Sequence, residues 1–144
     1  MSGIGLMVVL AALAVTAVAA WWVRTRNGAV RAPADVPAPL PVFARLGVDA
    51  SAADLTVVQF STAFCGPCRT TKARLEHLRT TRPRLAYVHV DAESHLDEVR
   101  ELDVRRTPTL FYLDRQGQLI GRSSGAPRAD ELTALVDAHA GVGT

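Results

Sequence analysis

The sequence predicts an α/β fold: a mixed sheet of four to five strands flanked by helices, preceded by one apolar N-terminal helix. Three observations predict it. From about residue 54 onward, β-branched apolar runs alternate with runs of helix formers. The first two strand-like runs are joined through a helical stretch, which makes them parallel, and the last two through a tight turn, which makes them antiparallel. Residues 3–23 contain no charged residue at all.

That N-terminal run extends from Gly3 to Val23, with Thr16 as its only hydroxyl. Twenty-one residues at about 1.5 Å rise match a hydrocarbon core of roughly 30 Å. Trp21 and Trp22, followed by Arg24 and Arg26, form an interfacial anchor pattern. The competing reading is a cleaved signal peptide, for which Ala17-Val18-Ala19 offers small residues. Met1 to Gly5 supply no basic n-region, however, and the run exceeds a usual h-region. A single-pass membrane helix over 1–23 is the preferred reading. Arg24, Arg26 and Arg31 flank only its C-terminal end, so the positive-inside rule places the following domain on the cytoplasmic face, with the extracytoplasmic side as the alternative.

Residues 24–41 read as a linker. Pro33, Pro37, Pro39 and Pro41 among alanines favour an extended, semi-rigid spacer that holds the domain off the bilayer without packing on it. The globular domain then occupies 42–144. In order, 54–61 reads as a strand and 66–81 as a helix with Ala73, Leu75 and Leu78 inward, stopped by Pro83. Residues 85–90 read as a buried strand that includes His89, and 94–102 as a helix with Leu96, Val99 and Leu102 on one face. Residues 109–113 are a strand, Asp114-Arg-Gln-Gly117 a turn, and 118–122 a hairpin partner. Leu132, Leu135, Val136 and His139 mark a C-terminal helix.

Charge narrows the function classes. Residues 42–144 hold 13 Lys+Arg against 13 Asp+Glu, and aromatics are 6% of the chain, so no nucleic-acid footprint is present. The chain's only two cysteines cannot build a disulfide framework, and a domain of about 100 residues needs none. They are Cys65 and Cys68, in Cys65-Gly66-Pro67-Cys68, at a predicted strand-to-helix junction. Backbone N–H groups and the positive end of a helix dipole there favour thiolate over thiol, which points to redox chemistry.

With these elements in order, the chain resembles a thioredoxin over about residues 54–140. The resemblance rests on Phe64-Cys-Gly-Pro-Cys-Arg69 after the first strand, on Val104-Arg-Arg-Thr-Pro-Thr-Leu110 some 40 residues later, and on Gly117 and Gly125. It implies a redox-active disulfide Cys65–Cys68, with Cys65 as the exposed nucleophile and Cys68 as the shielded resolving thiol. Phe64, Gly66 and Pro67 would line the substrate site. Thr107-Pro108 resembles the family's cis-proline, which presents backbone to an extended substrate segment. No metal and no cofactor beyond the disulfide is expected. Partners are disulfide-containing proteins and an electron donor, a flavin-dependent reductase if the domain is cytoplasmic or a membrane thiol transporter if it is outside.

Three departures stand out. Phe64 replaces the usual tryptophan, Gln59 replaces a buried aspartate thought to move a proton at the second cysteine, and Tyr87 stands at that acid's usual lysine partner. Gln59 cannot titrate, so proton transfer falls to water or another group.

Rival readings are weaker. A zinc site would need ligands such as His89 and His95, but twenty residues separate Cys68 from His89. Haem attachment fails because residue 69 is Arg. His77 and His139 read as partly exposed helix residues and Asp97, Glu98, Arg100 and Glu101 as a solvated helix face, while Arg105 and Arg106 read as surface positions with no specific role, the alternative being a part in tuning substrate choice. The resemblance, with Gly66-Pro67 between the cysteines as in the family's low-potential reductases, implies reduction of protein disulfides as the function. The alternatives are an extracytoplasmic redox protein for cytochrome c maturation or disulfide correction, and a binding module that cycles poorly.

Overall fold

The computed structural model describes residues 2–31 and 41–141, so the prolines at 33, 37 and 39 lie outside it. Helix α1 (Ser2–Arg26) is followed by strand β1 (Val30–Arg31), helix α2 (Pro41–Arg45) and a short 3-10 turn at Ala50–Ala52. Then come β2 (Leu55–Ser61), α3 (Gly66–Thr81), β3 (Leu85–Asp91), α4 (Leu96–Glu101), β4 (Thr109–Asp114), β5 (Leu119–Ser124) and α5 (Ala129–Ala140).

The sheet has five strands in the order β1-β5-β4-β2-β3. β2 lies at its interior, antiparallel to β4 and parallel to β3, as the helical crossover through α3 requires, while the hairpin sets β4 antiparallel to β5. All seven β2 residues are buried, because helices cover both faces. Alternation along the strands sorts the core into two layers. Leu55, Val57, Leu110 and Tyr112 face Leu75 and Leu78 of α3 and Leu132 and Val136 of α5. Val58, Phe60, Phe111 and Leu113 face Val42, Phe43 and Leu102. In that second layer Phe111 meets Phe43 and Phe60 edge-on, with ring centroids 5.5 and 5.7 Å away. The hairpin closes as expected: Asp114 Oδ1 accepts from the backbone N–H of Gln116 and Gln118, and Gly117 takes φ +76°.

Several expectations change. Ala73 faces solvent, and the inward stripe of α3 is Cys68, Thr71, Leu75 and Leu78. Leu96 opens α4 and is exposed, leaving Leu102 buried and Val99 partly buried beside it. His89 lies in a strand but is exposed, because β3 is the sheet edge. The apolar helix continues to Arg26, and part of the 24–41 segment packs on the domain. Val30 pairs with Ser123, its N–H donates to Glu131 Oε1 at 2.9 Å, and Pro41 opens a helix that buries Val42 and Phe43.

Candidate active site

The site forms where β2 runs into α3. Cys65 caps the helix with extended backbone (φ −92°, ψ 99°), and its Sγ accepts the N–H of Cys68 at 3.2 Å. Pro67 sits in the first turn, where a missing N–H costs nothing. Cys65 and Cys68 are joined as a disulfide, with S–S 2.01 Å and Cα atoms 5.2 Å apart. The expectation of an exposed Cys65 needs correction for this oxidised form: it is 8% exposed against 3% for Cys68, because bonding turns its sulfur toward its partner. The accessible group is Phe64, 98% exposed directly before the disulfide. Pro67 is also exposed and Gly66 half-buried.

The Thr107–Pro108 peptide is cis. Pro108 is buried, and its carbonyl accepts from the N–H of Gly125 at 2.8 Å. Thr107 Oγ1 lies 3.5 Å from Thr62 Oγ1, and Thr62 O accepts from the N–H of Cys65. Phe64, the disulfide, Thr107 and Pro108 thus lie at one end of the sheet. Arg105 pairs with Asp103, and Arg106 donates to Asn27 Oδ1.

Behind the disulfide lies a neutral network. Gln59 is fully buried on the β2 face that meets α3. Its Nε2 donates to the carbonyl of Cys68 at 3.0 Å and to Ser61 Oγ at 2.9 Å, and its Oε1 accepts from the Tyr87 hydroxyl at 3.3 Å. Sequence reasoning singled out Gln59 and Tyr87 separately. It missed Ser61 and the bond to Cys68, for which the only sequence signal is the period-2 spacing of Gln59 and Ser61 on one strand face.

Tyr87 is the one titratable member of this network. Burial, helped by the negative charge of Glu76, pushes its hydroxyl from 10.0 up to about 12. It therefore stays a donor at neutral pH. A raised acid pKa means that the folded state holds its proton after the unfolded chain has lost it. Its stabilising share is complete below pH 10 and is lost as pH rises through about 12. Tyr87→Phe should accordingly flatten the decline of melting temperature over that alkaline window, read by circular dichroism.

Comparisons with known proteins agree with this geometry. The thioredoxin family model matches residues 47–138, more than half of the chain. The chain belongs to the thioredoxin family. Human thioredoxin is 32% identical over 90 residues, covering 62% of this chain and 84% of the human protein. Thioredoxin-3, mitochondrial, of Saccharomyces cerevisiae is 36% identical over 73 residues, covering 51% of this chain and 57% of the yeast protein. Fasciola hepatica thioredoxin superposes with a TM-score of 0.57 at 25% identity, covering 67% of this chain and 90% of that one. Family membership and the Cys65–Cys68 pair together make this thioredoxin-family chain a thiol–disulfide oxidoreductase.

Proposed function

We propose that the protein is a membrane-anchored reductase of protein disulfides, working through Cys65 and Cys68. The observation that carries the reading is the position of Cys65 Sγ at the start of α3, accepting a backbone N–H beside Phe64 and the cis-proline loop. In the reduced protein the same N–H and the helix dipole stabilise a thiolate. That thiolate attacks one sulfur of a substrate disulfide. A Cys65–substrate S–S bond forms, the substrate S–S bond breaks, and the departing thiolate takes a proton. Cys68 then releases its proton and attacks Cys65 Sγ, expelling the second substrate sulfur as a thiol. Two electrons have passed to the substrate, and the domain is left oxidised.

Phe64 supplies apolar contact, and Thr107 offers backbone to an extended segment. The Gly-Pro pair between the cysteines supports the reducing direction, by likeness to the low-potential members of the family. Re-reduction falls to a flavin-dependent reductase or a membrane thiol transporter. The apolar α1, flanked by Trp21, Trp22 and arginines, supports a single membrane span, and the arginine distribution favours a cytoplasmic domain.

Trapping tests the mechanism and identifies its targets together. Cys68→Ala should accumulate mixed disulfides through Cys65 that dissolve on adding reductant. A variant that captures no more protein than Cys65→Ser/Cys68→Ala would contradict the exchange reading.

A further inference from the structure

We propose that α1 is clamped to the redox end of the domain, so that the disulfide is held at the bilayer surface and acts on disulfides of membrane-bound proteins close to that surface. The inference rests on reading α1 as a membrane span.

The helix reaches the domain without a spacer. Arg26 is its last residue, and the N–H of Asn27 still donates to the carbonyl of Val23 at 3.0 Å. Asn27 Oδ1 then accepts from Arg106 Nη1 at 2.7 Å, and the N–H of Gly28 donates to the carbonyl of Ser124 at 2.8 Å. Gly28 has φ +80°, and a Cβ there would stand 2.0 Å from the carbonyl oxygen of Ala126. Two backbones pass so closely that only glycine fits. β1 follows at once and pairs with β5. The proline-rich stretch lies beyond β1 and before α2, both on the domain, so it does not separate helix from domain.

The clamp grips the redox end. Arg106 directly precedes Thr107, and Gly125, which follows Ser124, donates to the carbonyl of Pro108. The β4–β5 turn at 114–118 lies at the opposite end of the same strands. Depth follows from α1. Trp22, with the Arg26 guanidinium stacked 3.6 Å above its ring, marks the interface. Asn27 is five residues farther on, about 8 Å of helix. The cis-proline loop is thereby brought to the level of the lipid headgroups. The exposed Phe64 stands at that same end. A flexible tether would let the domain turn to any substrate, whereas this junction presents the disulfide to what the membrane carries.

The test uses the full chain in phosphatidylcholine–phosphatidylglycerol vesicles containing a headgroup-linked fluorescence quencher. One sample carries a fluorophore on Cys65 in Cys68→Ala. The other carries it at position 116 in Cys65→Ser/Cys68→Ala/Gln116→Cys. The expected result is strong quenching at 65 and weak quenching at 116. Inserting about ten Gly/Ser residues between Arg26 and Asn27 leaves the Asn27 and Gly28 contacts in place and should erase that difference. With unlabelled protein, the same insertion should remove a rate advantage on a transmembrane peptide whose disulfide lies just outside the bilayer, while insulin reduction in detergent stays the same. Equal quenching at the two sites of a chain that floats with the vesicles overturns the inference alone. A chain that does not float overturns the membrane reading and the inference with it.

Discussion

Replacing Cys65 by serine is expected to bring insulin reduction down to the rate of the supplied reductant alone. The reason lies in the ionised fraction. A hydroxyl at the start of α3 stays protonated at neutral pH, whereas a thiol there is assisted toward thiolate by the Cys68 N–H that its sulfur already accepts. Because only the thiolate attacks, first-step chemistry stops entirely rather than slowing. The fold should tolerate the change, since a serine oxygen is itself a good helix cap. Unfolding monitored alongside separates lost chemistry from lost structure. A Cys65→Ser protein as active as the native chain would leave only the reading as a binding module.

The second large effect is expected at Gln59. Gln59→Leu removes the donor to the Cys68 carbonyl and to Ser61 Oγ, both in the buried layer beneath the disulfide. Each buried group left without a partner costs about 1–3 kcal/mol. Tyr87 is half-buried and turns to water, and the Cys68 carbonyl keeps its bond within α3, so Ser61 Oγ carries the loss. A destabilisation of about 1–3 kcal/mol in urea unfolding is expected, toward the lower end because the Ser61 hydroxyl can rotate. The same bond fixes the first turn of α3 where Cys68 must attack. Release of the mixed disulfide should therefore slow more than its formation, a split that stopped-flow reduction of a labelled disulfide resolves. If both steps and the unfolding midpoint stay unchanged, Gln59 is a spectator.

Much of the fold was legible because its signals are local. β2 is a continuous apolar run, and α3 begins at the cysteines and stops at Pro83. The hairpin turn is written in Asp114 and Gly117. β1 was not legible, since two residues carry no periodicity and Val30 finds its place only through β5 and Glu131. Nor was α2, whose burial of Phe43 depends on Phe111 far along the chain. At the site, the Cys-Gly-Pro-Cys and Thr-Pro-Thr segments pointed to each other through resemblance to a family. Gln59 could be recognised as a departure, but its bond to Cys68 is a matter of two faces meeting. The clamp at Gly28 was hidden for the same reason: a glycine after a helix reads as a cap until the facing Ala126 carbonyl is seen.

The most direct measurement is the pH dependence of Cys65 alkylation in the reduced protein, with Cys68 followed in the same reaction. The account predicts that Cys65 is modified rapidly at neutral pH and keeps that rate well below the ordinary thiol range near about 8.5, while Cys68 lags far behind. Two thiols reacting alike, with the slow rise of an unassisted cysteine through that range, would contradict it.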